Sequence, residues 1–106
     1  MMLQKIQACF RADKALYSKH ARDEMENEEF GEIQEREIHE TVLSGKIIEN
    51  YPEDEPYPSC LIYGRTLDNR PIHVVGAYSG ESDIVIMITA YQPDPARWID
   101  LERRRT

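Results

Sequence analysis

The spacing of apolar residues changes from a helical to a strand period about midway along the chain. From Met2 to Lys14, Leu3, Ile6 and Phe10 recur at helical spacing, which predicts a helix with one buried face. Ala15-Leu16-Tyr17 is too short to show a period and reads as an extended link. Ser18 is a suitable N-cap, because its hydroxyl can accept an orphan N–H of a first turn. Ala21 and Met25 would share the buried face of the helix that follows, which frays in Glu26-Asn27-Glu28-Glu29 and breaks at Gly31. A third helix is predicted from Gln34 to Leu43, with Ile38 and Val42 inward. Ser44-Gly45 stops it, Gly45 being suited to a left-handed cap.

Beyond Gly45 the runs are short and rich in Ile, Val and Tyr. Lys46–Tyr51, Ser59–Thr66, Pro71–Tyr78 and Ile84–Tyr91 are predicted strands. The prolines and acids of Pro52–Pro58 predict a surface loop, Asp68-Asn69 a tight turn, and Ser79–Asp83 a hairpin loop. Pro93 and Pro95 end the last strand, and Pro95 is placed to open a short final helix through Trp98 and Leu101. The expected fold is α+β: N-terminal helices on one face of a four-stranded antiparallel meander, closed by a short C-terminal helix, in one domain over residues 1–106.

These turns imply a register. If Leu67 pairs with Arg70, Gly64 lies opposite His73; if Tyr78 pairs with Ile84, Thr89 lies opposite His73 on its other side. Side chains alternate between faces. The helix-covered face then collects Leu61, Tyr63, Ile72, Val74, Ile84, Ile86, Ile88 and Ala90. The other face brings His73, Thr89 and Tyr91 together at a polar end, with Gly64 leaving room beside the imidazole. A one-residue slip would redistribute them all.

Charge narrows the function classes. The formal net charge is −7, whereas a general nucleic-acid binder needs a basic footprint to neutralise phosphates. The acids concentrate in Asp23–Glu40 and Glu53–Glu55, while Arg103, Arg104 and Arg105 make a local basic end. Cys9 and Cys60 have no motif spacing, and the N-terminus shows neither a long apolar run nor a small-residue cleavage site. Both features point to free thiols in a reducing cytoplasm. No segment approaches the ~20 apolar residues of a membrane span.

Candidate chemistry centres on His73. A histidine can act as general acid or base near neutral pH, and a tyrosine can donate a proton or hold an anionic oxygen. His73 with Tyr91, plus a cation to steady a pentacovalent phosphate, would suffice for metal-free RNA cleavage. Arg65, Arg70, Arg97 and Arg103 are the candidate phosphate ligands. The plainer reading of His73 is a half-buried strand histidine bonded to a neighbour. His20, at the start of the second helix, is a further acid/base candidate, because the positive dipole end favours its neutral form. Its plainer reading is a water-exposed first-turn residue, and His39 reads as part of a solvated helix face. There is no paired Cys or His metal motif, no phosphate-binding glycine loop and no nucleophile elbow, so no metal or cofactor is expected.

Several segments carry a resemblance. They are Ser18-Lys19-His20-Ala21 with Met25, Val42 to Pro52, Arg70-Pro71-Ile72-His73-Val74-Val75, and Thr89-Ala90-Tyr91-Gln92-Pro93-Asp94 with Trp98. In this order they resemble domain-of-unknown-function family 4258, over roughly residues 15–105. The resemblance implies a bacterial, RelE-like domain, an RNA-cleaving toxin held by an antitoxin-like partner, with Ser18, His20, Ala21, Pro71, His73 and Tyr91 on the family's motif positions. The family usually has an arginine just before the methionine, and this chain has Glu24 there. Three readings stay open: a toxin-like ribonuclease, a non-catalytic protein-interaction module of the same fold, and a small acidic housekeeping or phage-derived protein of another role. The sparse bases favour the second.

Overall fold

The computed structural model describes residues 2–106. Three helices come first: α1 (Met2–Arg11), α2 (Lys19–Glu26) and α3 (Glu35–Ser44). Ser18 caps α2 as expected, its Oγ accepting the Ala21 N–H at 3.0 Å. At the start of α3 the Gln34 N–H donates to Glu37 Oε1 at 3.0 Å, closing the first turn. No helix among the described residues is long and apolar enough to cross a membrane.

The sheet is not a four-stranded antiparallel meander. It has five strands in the order β1-β5-β4-β3-β2 and is mixed: β1 (Ala15–Tyr17) runs parallel to β5 (Ile84–Tyr91). The remaining neighbours, β2 (Lys46–Tyr51), β3 (Ser59–Arg65) and β4 (Pro71–Ser79), pair antiparallel. A strand as short as β1 carries no readable period. Its position follows instead from the free edge of β5, whose peptide groups need partners. The Val85 N–H donates to the Lys14 carbonyl and the Ser18 N–H to the Met87 carbonyl, so the pairing runs on at both ends of the strand.

The expected C-terminal helix is also absent. Pro95 opens only a turn, in which the Arg97 and Trp98 N–H groups share the Asp94 carbonyl. The chain then forms a small hairpin, β6 (Trp98–Ile99) and β7 (Arg103–Arg104), separate from the main sheet. Trp98 and Leu101 are three apart, a helical spacing, but a reversing turn lies between them. Asp100 and Leu101 adopt φ of 53° and 62°. That is the mirror-image turn that matches strand twist.

The register differs from the simple expectation on both sides of β4. Tyr63, not Gly64, faces His73 from β3, and Tyr91, not Thr89, faces it from β5. The β3–β4 turn has three residues between its closing pair, since Thr66 bonds Arg70, and Asn69 takes the left-handed conformation (φ 65°). Between β4 and β5 the hairpin sets Tyr78 opposite Val85 rather than Ile84, and a bulge at Val75/Gly76 takes up Ile88 as an extra residue, so the pairing at His73 moves by two residues. The helix-covered core therefore contains Cys60, Ile62, Ile72, Val74, Val85, Met87 and Ala90 from the sheet. Of the residues expected there, Ile72, Val74 and Ala90 are in place, while Leu61, Tyr63, Ile84, Ile86 and Ile88 are not in that cluster. Ile6, Phe10, Met25, Ile33, Ile38 and Val42 cover it from the helical layer.

Gly45 is not a left-handed cap. Its φ is −89°, and glycine is required there for space. A Cβ at Gly45 would stand 2.6 Å from the Thr41 carbonyl oxygen and 2.7 Å from Ile62 Cγ2. A Cβ at Gly64 would stand 2.2 Å from the same carbonyl. The last turn of α3 thus crosses β3 in backbone contact, which clamps the helical layer to the sheet.

Candidate functional site

On the outer sheet face, opposite the helices, His73 sits between two tyrosines of adjacent strands. Its ring lies 5.5 Å from that of Tyr63 and 5.3 Å from that of Tyr91, both edge-on. The β6–β7 hairpin closes over this group, placing Trp98 edge-on at 4.5 Å from the imidazole. His73 is left with no solvent exposure.

Both imidazole nitrogens are engaged. Nε2 is 2.6 Å from the Leu101 carbonyl oxygen and Nδ1 is 3.2 Å from the Tyr91 hydroxyl. A carbonyl can only accept, so Nε2 carries the proton and Nδ1 accepts from the phenol. Burial pushes the His73 pKa below its ordinary value, against the opposing pull of the Leu101 carbonyl and Glu49. Burial likewise raises the Tyr91 phenol to about 12, so it stays protonated and donates. The turn that aims the Leu101 carbonyl is strained, since each left-handed residue without glycine costs roughly 1–2 kcal/mol. The hydrogen bond to His73 is what that conformation achieves.

Arg104 holds the hairpin down at its other end. Its Nε and Nη2 donate to Glu49 Oε2 and Oε1 at 2.9 and 3.1 Å, and its guanidinium lies 4.7 Å from the Trp98 ring centroid. The Tyr51 hydroxyl donates to the same carboxylate. Burial works against the Glu49 anion, but Arg104 and Tyr51 outweigh it and hold its pKa below the ordinary carboxylate range. Lys46 Nζ reaches Glu102 at 2.6 Å as a third tie.

Alongside the hairpin runs an open cleft of about 870 Å³. Tyr91 and Trp98 line it, with Glu24, Glu28 and Glu29 contributed by α2 and the turn after it, and Asp94, Arg97, Arg104 and Arg105 by the C-terminal segment. Among the described residues no group of three His, Cys, Asp or Glu side chains converges as a metal site would require.

Of the sequence candidates, His73 and Tyr91 are brought together. His20 joins neither: it is exposed on α2, with Nε2 3.5 Å from Glu24 Oε1. Glu24 accepts the Ala90 N–H at 2.9 Å and so pins α2 to β5 beside Tyr91. Arg70 is tied within the domain. Its Nε donates to Gln92, and its two Nη groups to Glu37 and to the Gly31 and Glu32 carbonyls. Arg65 lies at the β3–β4 turn, donating to the Asn69 carbonyl. Arg97 lines the cleft, and Arg103 is exposed on β7. Arg104 belongs to the basic end read from the sequence and Trp98 to the resemblance, but their place over His73 and Glu49 escaped sequence reasoning, as did the parts played by Glu49, Tyr51 and Leu101. Glu49 and Tyr51 are two apart on one strand, which places them on one face. Nothing local in the sequence shows that the hairpin folds back onto them.

The family model for DUF4258, a domain of unknown function, matches residues 17–92, well over half of the chain. The chain belongs to the DUF4258 family. The match covers α2, α3 and β2 to β5, with the His73–Tyr91 pair inside it. Helix α1 and the β6–β7 hairpin lie outside the matched part of this DUF4258 protein. No curated protein and no solved structure matches.

Proposed function

We propose that this DUF4258 domain is a non-catalytic interaction module that seats a partner polypeptide on the outer sheet face at its His73 end. One observation carries the reading: His73 is fully enclosed with both nitrogens bonded, while an open, aromatic-floored cleft lies directly beside it. A general base must reach its proton within hydrogen-bond distance or through one water, and His73 has neither the exposure nor a free nitrogen. The cleft has a size that suits a side-chain cluster, within the roughly 300–1,000 Å³ of ligand pockets. Its lining carries both signs of charge, which suits a polypeptide bearing both. An RNA backbone would meet Glu24, Glu28 and Glu29.

The test is a photo-crosslinking amino acid at Ala96, in the cleft, with Leu67 at the β3–β4 turn as control. A discrete cross-linked protein from Ala96, missing from Leu67 and lost on Glu28→Lys/Glu29→Lys, supports the module. Identical products from both positions refute it.

The second reading is a toxin-like ribonuclease held by an antitoxin-like partner. The His73–Tyr91 contact at 3.2 Å and the arginines of the cleft favour it. Growth arrest on induced expression, abolished by His73→Gln in a folded variant, would replace the module with this reading. No arrest, or equal arrest from both, removes it.

A further inference from the structure

The β6–β7 hairpin is held to the domain differently from every other strand. It shares no ladder with the main sheet. The hairpin is joined to β5 through Gln92-Pro93-Asp94-Pro95, where the two proline nitrogens have no N–H to bond. Its ties are side-chain contacts and one carbonyl: Leu101 on His73, Trp98 against His73, Arg104 on Glu49 and Lys46 on Glu102. That is the anatomy of a docked peptide. A guanidinium forked on a carboxylate with an aromatic ring against it is a recognition arrangement that lysine cannot reproduce.

The surface beneath belongs wholly to the matched domain. Glu49 and Tyr51 come from β2, Tyr63 from β3, His73 from β4 and Tyr91 from β5. Tyr51 orients the Glu49 carboxylate, and His73 presents an N–H outward from a ring locked by Tyr91. The hairpin, in contrast, lies beyond the matched residues. Removing Arg104 leaves Glu49, 24% exposed, facing no cation. The surface therefore calls for a positive replacement.

We infer that residues 93–106 are an intramolecular ligand, occupying a docking surface for an external polypeptide segment that carries an arginine beside a tryptophan and displaces the hairpin on binding. The inference rests on the interaction reading and names the partner chemistry of the same face. The cleft beside Tyr91 is the uncovered margin at which an incoming segment first makes contact. While the hairpin is docked, apparent affinity is reduced by the small fraction of open molecules, so weakening the hairpin must strengthen external binding.

The experiment uses the full chain and a synthetic peptide of residues 93–106 as probe. Trp98 is the chain's one tryptophan, so in Trp98→Ala/Arg104→Ala the probe carries the sole indole in solution. A saturable blue shift of probe emission is expected, with affinity at least about tenfold above that of wild type for a fluorescein-labelled copy. Adding Glu49→Gln should abolish it. Urea unfolding followed by circular dichroism verifies that each variant is folded. Where the double variant does not fold, Arg104→Ala alone with the labelled probe answers the same question. No saturable binding to the weakened chain, or binding that survives Glu49→Gln, overturns the inference. The Ala96 cross-link judges the interaction reading separately, so the two failures are told apart.

Discussion

Arg70 is the sequence candidate most fully engaged within the domain, and replacing it by alanine tests what those contacts contribute. Its guanidinium joins three parts of the chain: Gln92 beyond β5 at 2.8 Å, Glu37 of α3 at 3.2 and 3.3 Å, and the Gly31 and Glu32 carbonyls of the α2–α3 loop. The Arg70 and Glu37 side chains are only 18% and 13% exposed. Breaking a fully buried pair costs roughly 3–5 kcal/mol, and an exposed pair contributes at most about 1. The loop carbonyls regain water when released, so their loss adds little. The expected cost of Arg70→Ala is about 2–3 kcal/mol, or roughly 10–20 °C in Tm for a domain of this size. Arg70→Lys keeps the charge without the fork and should lose about half as much. Urea unfolding measures both, and a double-mutant cycle with Glu37→Gln should show coupling of about 1 kcal/mol. A cost below about 0.5 kcal/mol, the range of ordinary surface changes, would refute the tether and return Arg70 to the pool of free cations.

Gly64→Ala should destabilise by about 2–4 kcal/mol in urea unfolding, because its Cβ would meet the backbone of Thr41, which has no rotamer to change. Thr41 Oγ1 is a buried side-chain polar atom with no hydrogen-bond partner among the described residues. Thr41→Val should therefore stabilise by about 1 kcal/mol, and a loss instead would show that the hydroxyl is satisfied. His73 gives a pH dependence. Above the ordinary value of 6.5 both states are neutral, and below it the unfolded chain takes a proton that folded His73 resists. Stability should fall from pH 7.5 to 5.5, a window above the Glu49 titration, and the fall should be smaller in His73→Gln. An equal slope in the two proteins would show that His73 is not the group responsible.

The long elements were legible because each carries its own signal. Ser18 announces a cap, Ile38 and Val42 a helix face, and the β-branched runs of β4 and β5 a hairpin. What failed had no local signature. Strand β1 exists because β5 has an edge to satisfy. The register around His73 turns on Asn69 entering the left-handed region, on the β4–β5 loop setting Tyr78 opposite Val85, and on Ile88 entering a bulge, and each moves pairing by one residue. Those slips assigned Leu61 and Tyr63 to the wrong face, yet His73 and Tyr91 still shared a face. Tyr91 simply moved from a diagonal neighbour to the directly opposed one.

The same pair shows why residue types alone do not identify a catalyst. His73 and Tyr91 on one open face would be an acid and a base awaiting substrate. With Trp98 and Leu101 closed over them they become a donor–acceptor chain whose one outward proton is already bound. What distinguishes the two states is a hairpin outside the matched family domain, not the strands within it. Glu24 points the same way: it holds a backbone N–H of β5 and places a negative charge in the lining of the cleft. Both act on the surroundings of the pair. Recognition of a polypeptide that carries both signs of charge fits these surroundings, whereas a phosphate bound here would have to overcome the charges of Glu24, Glu28 and Glu29.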